Sequence, residues 1–279
     1  MSQTTPSGQA PTTPEGSEPE LLARLRSGRP TLMLAIRGSR TTEVVQVAHS
    51  SGHHAVLVDL EHSAMSTDTA ATLCATAGAL GLTPLVRVPE RDYGIIGRML
   101  DAGAHGIVAP RIETAEQAAD VAAACRFPPR GRRSQVAQVP ATGMRPTPAA
   151  ELNPALNDAT IVQILIETPA GIANAQEIAA VDGVDMLALG ANDLTAELGI
   201  PGEYDDPRVH EAVATLGEAC RKHGKLLMVG GISDPQLLRS LLPLGVCPLV
   251  MTGSDSAQLY QGAKTSVERY AAAFETETD

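Results

Sequence analysis

From Thr31 onward the chain alternates between two hydrophobic patterns: short continuous apolar runs, and longer segments whose apolar positions recur every three or four residues. The runs are Thr31-Ile36, Ala55-Leu60, Pro84-Val88, His105-Ala109, Ile161-Ile166, Val184-Leu189, Lys225-Val229 and Val246-Met251. Apolar character without strict alternation is what a parallel strand covered on both faces requires, and strands alternating with helices imply βαβ units. Eight such units close more naturally into a (β/α)8 barrel, the TIM-barrel form of the α/β class, than into an open sheet. Periodicity by itself leaves the doubly wound alternative open.

The intervening helices carry recognisable starts. Thr114 stands three residues before Gln117, the spacing of a capping box, and Ala118, Val121, Ala122 and Cys125 keep one face apolar behind it. Ser233 and Gln236 repeat the spacing ahead of Leu237, Leu238, Leu241 and Leu242. After the second strand, Ala70, Leu73, Cys74 and Ala77 form the same stripe.

Two stretches break the rhythm. Residues 1–19 mix Ser, Thr, Pro, Gly and Glu with almost nothing to bury, which predicts a disordered leader ahead of a single barrel domain over residues 20–279. From Phe127 to Ala159 the chain is rich in Pro and Arg, which predicts a long loop acting as a lid or a subunit contact.

Composition narrows the function. With 21 Lys and Arg against 32 Asp and Glu, the net charge of −11 repels phosphate backbones and anionic membranes, so neither nucleic acid nor a membrane is an expected partner. Aromatic residues are only 2% of the chain, so the core is aliphatic. Cys74, Cys125, Cys220 and Cys247 show no C-x-x-C spacing and read as buried thiols of a reducing compartment. No run approaches the length of a membrane span and no signal peptide opens the chain, so the expectation is a soluble cytoplasmic protein.

Barrel chemistry collects where strands end, so the polar residues closing each apolar run are the candidates. They are Asp59, Glu61 and His62 after the second run, Arg87 after the third, Arg111 after the fourth, Glu167 after the fifth, and Gly190, Ala191, Asn192 and Asp193 after the sixth. Taken singly, each has a structural explanation as a cap, a turn residue or half of a rim ion pair. Together they suit a divalent cation on Glu167 and Asp193 that a 2-oxo acid completes with its own oxygens. Arg87 is then a candidate to stabilise negative charge on the keto oxygen, and His62 to move a proton, with Asp59 orienting its ring.

The segments Val58-Asp-Leu-Glu-His62, Leu85-Val-Arg87, Leu100-Asp-Ala-Gly-Ala104, Ile166-Glu-Thr168 and Leu189-Gly-Ala-Asn-Asp-Leu194 resemble the HpcH/HpaI family of metal-dependent pyruvate aldolases. The resemblance covers about residues 20 to 270. It implies a barrel of the phosphoenolpyruvate/pyruvate-domain type and Mg²⁺, Mn²⁺ or Co²⁺ on Glu167 and Asp193. It also implies a substrate carboxylate near the amides of residues 190 to 193, Arg87 at the keto oxygen, and His62 as proton carrier backed by Asp59. It further implies a homo-oligomer, trimer or hexamer, whose last helix packs on a neighbour and whose Asp101 approaches the next subunit's site. The implied reaction cleaves or forms 4-hydroxy-2-oxo acids from pyruvate or oxaloacetate and an aldehyde or other acceptor.

Three departures bear on that reading. Leu165 stands where the family has Gln two positions before the metal-binding Glu, and Gln163 lies one layer deeper on the same strand face. Ala191-Asn192 replaces a frequent Pro-Ala, and the loop Gly131-Arg-Arg-Ser134 lacks a second glycine. Leu165 keeps a citrate-synthase-like condensing enzyme or an oxaloacetate decarboxylase in view, and a non-catalytic binding barrel is the further alternative.

Overall fold

The computed structural model describes residues 18–274. The expected leader lies outside the described residues except for Glu18, which pairs with Arg26 across 2.5 Å, and Pro19, which opens the first helix. Eight parallel strands form one sheet: β1 Thr31–Ile36, β2 Ala55–Asp59, β3 Thr83–Arg87, β4 Gly106–Ala109, β5 Ile161–Ile166, β6 Met186–Gly190, β7 Leu226–Gly230 and β8 Leu249–Ser254. Their order is β7-β6-β5-β4-β3-β2-β1-β8, and the bridge Leu227 to Val246 brings the two outer strands together, so the sheet is a nearly closed barrel.

The helices among the described residues are α1 Glu20–Arg26, α2 Glu43–Ser50, α3 Thr67–Ala79, α4 Ile96–Asp101, α5 Ala115–Cys125, α6 Ala149–Ala159, α7 Pro169–Ala173, α8 Ala175–Ala179, α9 Ala191–Glu197, α10 Pro207–His223, α11 Pro235–Leu241 and α12 Asp255–Phe274. Their starts follow the sequence chemistry. Thr114 and Gln117 form the expected capping box of α5. At α11 the cap is Asp234, not Ser233: the carboxylate accepts from the Gln236 and Leu237 amides, because Pro235 then occupies the first helical position, where no N–H is needed.

Because successive strand residues point to opposite faces, each strand feeds two separate cores. Leu34, Ile36, Val56, Val58, Val86, Ile107, Ile164 and Leu189 pack outward against the helices. Met33, Ala35, Leu57, Leu85, Val108, Ile161, Met186 and Met228 fill the barrel interior. Leu21, Leu22 and Leu25 of α1 join that inner cluster from below β1 and stopper the barrel at the N-terminal ends of its strands. Each fully buried aliphatic side chain contributes roughly 1.5–3 kcal/mol. The stripe Ala70, Leu73, Cys74 and Ala77 of α3 is buried as its spacing predicts, and all four cysteines are free and buried.

The segment from Phe127 to Ala159 departs from the expected loop. It contains a short 3-10 turn at Pro140–Thr142 and the whole of α6, with Pro154 inside the helix. Several of its basic residues are tied down. Arg133 pairs with Asp101 at 2.7 Å and lies 4.5 Å from the Phe127 ring centroid, and Arg130 pairs with Asp158. No helix of the described residues is long and apolar enough to cross a membrane.

Candidate active site

The C-terminal ends of the strands surround a cavity of about 460 Å³ whose wall includes His62, Arg87, Glu167, Gly190 and Asp193. Parallel register explains the convergence, since strands of similar length that start together also end together.

Glu167 follows the last residue of β5 and is 5% exposed. Its Oε1 accepts the Arg111 amide at 2.9 Å, and that amide comes from a residue with a left-handed backbone, φ 54°. Asp193 lies in the first turn of α9, whose N-cap is Gly190. The two carboxyl groups line the same cavity wall and repel each other. Burial first, then repulsion from Asp193 and Glu61, pushes the Glu167 carboxyl up to about 8. A pair of acids in that condition is short of positive charge, and a hard divalent cation meets the need. Among the described residues no group of three or more His, Cys, Asp and Glu is arranged to hold a metal. A cation held by Glu167 and Asp193 would have to take its remaining ligands from water, backbone or substrate oxygens.

Two strands from Glu167 the rim carries a cluster of paired charges. Asp59, the fully buried last residue of β2, stands directly across from Arg87 in the β2–β3 register and accepts from its Nε at 3.0 Å and from its Nη2. Burial alone would raise the Asp59 carboxyl, but hydrogen bonds and charge from Arg87, joined by the His62 amide and Arg37, hold it at about 2. Arg87 also reaches Glu61 at 3.2 Å, and burial of Glu61 raises its carboxyl against that pull.

Asp59 meets His62 at its backbone amide, 3.2 Å away, whereas the neighbour of the imidazole Nε2 is Glu61 at 3.7 Å. The expected orienting of the ring by Asp59 is thus replaced by support of Arg87, because the register places the two side chains face to face. Asp101 closes α4, is paired with Arg133, and does not line this cavity. Leu165 and Gln163 both face the cavity from β5, and the buried Gln163 Oε1 has no hydrogen-bond partner among the described residues.

Two contributors escaped the sequence reading. Arg37, the residue after β1, lines the cavity and donates from Nε to Asp59 Oδ2 at 2.6 Å. Asp255, the first residue of α12, accepts the backbone amides of Arg37, Gly38 and Ser39 and so fixes the loop leaving β1. Strand-end residues had been collected from the second to the sixth strands; the same rule applied to the first picks out Arg37.

The family model described as HpcH/HpaI aldolase/citrate lyase matches residues 32–246. A 4-hydroxy-4-methyl-2-oxoglutarate aldolase of Hapsidospora irregularis is 38% identical over 221 residues, 78% of this chain and 82% of that protein. A 4-hydroxy-2-oxo-heptane-1,7-dioate aldolase of Salmonella arizonae is 31% identical over 253 residues, 89% of this chain and 93% of that protein. Among solved structures, an HpcH/HpaI aldolase from Desulfitobacterium hafniense superposes with a TM-score of 0.83 at 26% identity, covering 90% of this chain and 96% of that one.

Proposed function

The chain belongs to the HpcH/HpaI aldolase/citrate lyase family, and from that premise we propose that it makes or breaks the carbon-carbon bond of 4-hydroxy-2-oxo acids, with pyruvate or oxaloacetate as the 2-oxo acid and an aldehyde or other acceptor as its partner. The observation that carries the proposal is the pairing of Glu167 with Asp193 on the cavity wall, with the buried guanidinium of Arg87 held two strands away on the same rim.

In this reading Glu167 and Asp193 hold Mg²⁺, Mn²⁺ or Co²⁺. The ion supplies Lewis acidity that draws charge from the 2-oxo group. The amides of Ala191, Asn192 and Asp193, at the start of α9 and without partners inside the helix, face the substrate carboxylate. Arg87, kept in place by Asp59, stabilises negative charge gathering on the keto oxygen. His62, half exposed at the rim, carries the proton between the substrate hydroxyl and solvent. The chain functions as a trimer or hexamer in which α12 packs on a neighbouring copy and Asp101 approaches the next subunit's site. Support for the assembly comes from the exposed apolar residues of α12.

The test is exchange of pyruvate methyl protons with deuterated water, followed by NMR. We expect exchange with added Mg²⁺ or Mn²⁺, none with chelator, and none in Glu167→Ala or Asp193→Ala. A wild-type protein inert with each of the three cations would end the proposal. Leu165 favours a second reading, decarboxylation or condensation of oxaloacetate, since the side chain that replaces Gln offers no hydrogen bond to the substrate. Turnover of oxaloacetate alone, exceeding turnover of pyruvate with a panel of aldehydes, would select it.

A further inference from the structure

Arg37 extends from the end of β1, and β1 lies four strands from β5 in either direction around the barrel. Its side chain therefore reaches the cavity from the side opposite Glu167. Two anchors fix it. The backbone amide donates to Asp255 Oδ1 at 3.0 Å, and Nε donates to Asp59 Oδ2 at 2.6 Å. Neither anchor uses the terminal nitrogens. Nη1 and Nη2 have no hydrogen-bond partner among the described residues, and the side chain is 39% exposed. Asp59 divides one carboxylate between two guanidinium groups and gives Arg87 the bidentate contact, so the donors of Arg37 are left unspent.

We infer that Arg37 is a specificity-determining residue, binding a carboxylate at the end of the substrate remote from its 2-oxo acid group. The inference rests on the aldolase reading, because that reading places the 2-oxo acid end beside Glu167 and Asp193. A guanidinium presents paired N–H groups that match the two oxygens of a carboxylate. Holding the side chain in place beforehand lowers the entropy lost when a ligand binds. Had Arg37 been only a counter-ion for Asp59, its bond to Asp59 would suffice and nothing would require its free edge to face the cavity.

The test compares 2-oxoglutarate with 2-oxopentanoate, which share a chain length and differ in a terminal carboxylate against a methyl group. Dissociation constants are measured by calorimetry with Mn²⁺ present, in the wild type and in Arg37→Met and Arg37→Gln prepared in parallel so that one misfolded variant does not decide the result. The readout is the ratio of the two affinities, which cancels any loss common to both ligands, such as one caused by loosening Asp59. We expect the wild type to favour 2-oxoglutarate by roughly 10- to 100-fold, the scale of a charged hydrogen-bonded contact. The ratio should fall near one in the variants. A ratio near one in the wild type, or a wild-type ratio that survives both substitutions, overturns the inference. Proton exchange of pyruvate separates the two ideas: with exchange intact and the ratio absent, only the role of Arg37 fails, whereas loss of exchange removes the aldolase reading and this inference with it.

Discussion

A Cβ built on Gly190 would lie 2.5 Å from Glu167 Oε2, so the bare backbone at the end of β6 and the seat of the Glu167 carboxylate are one feature. The backbone of Gly190, at φ −89°, is open to any residue. What the position excludes is bulk.

Gly190→Ala should therefore fold normally, since the clashing atom is the movable tip of a side chain, and should swing Glu167 away from Asp193. We expect Mg²⁺ and Mn²⁺ affinity to drop roughly 10- to 100-fold, the usual effect of disturbing the support of a ligand. Calorimetric titration checks it. Unchanged affinity would mean that the Glu167 tip does not touch the ion.

Proton release gives an independent check on the same carboxylate. With its folded pKa near 8 against an ordinary 4.5, Glu167 holds a proton at pH 7 that the unfolded chain has lost. The metal-free protein thus binds more protons folded than unfolded in that window. Its contribution to stability is full below pH 4.5 and is lost as pH rises through about 8. A cation needs the ionised acid, so loading at pH 7 should expel close to one proton and flatten the loss. Titrations in buffers of different ionisation enthalpy count the proton, and a count near zero would contradict the assignment.

Asp59 carries the opposite sign. Its carboxyl sits near 2 instead of 3.8, so its stabilising effect is complete above pH 3.8 and disappears as pH falls through about 2. Asp59→Ala leaves the buried Arg87 with Glu61 as its remaining partner and removes its bidentate contact, at a cost of up to roughly 3–5 kcal/mol. Turnover should fall roughly 10²- to 10³-fold, because a guanidinium without its support no longer aims at the keto oxygen. Urea melts at pH 7 and at pH 2 to 3 test the stability, and steady-state assays at pH 7 test the turnover. A gap between wild type and variant that does not narrow in acid would show that Asp59 acts by packing instead.

The exposed face of α12 makes a claim about assembly. Leu259, Val267, Tyr270 and Phe274 are each more than half exposed, and their spacing places them along one stripe. Val267→Lys combined with Tyr270→Lys should lower the mass seen by light scattering without changing the helical circular dichroism signal. A wild type that is already monomeric at micromolar concentration would refute the proposed assembly.

The strands were legible because a parallel strand buried on both faces is written as an uninterrupted apolar run. The run Ile161-Ile166 matches β5 at both ends. At β8 the match fails: the strand runs to Ser254, past the apolar run, because its last residues line the open mouth and are polar. Helix α6 was hidden by Pro154 and the prolines around it. It is secured instead by a distant contact, Asn157 accepting the buried Phe127 amide at 2.7 Å. The partnership of Asp59 with Arg87 is likewise a property of register, which couples residues 28 apart. Proximity along the chain had favoured His62, and nothing in the local pattern distinguishes the two.

The three leucines of α1 close the lower end of the barrel and leave, among the described residues, the mouth at the strand C-termini as its doorway. Two reactants that meet inside must then enter in sequence, and the one lodged further in departs only after the other has cleared the threshold. Product-inhibition kinetics would record that queue as one product competing directly with the full substrate while the other does not.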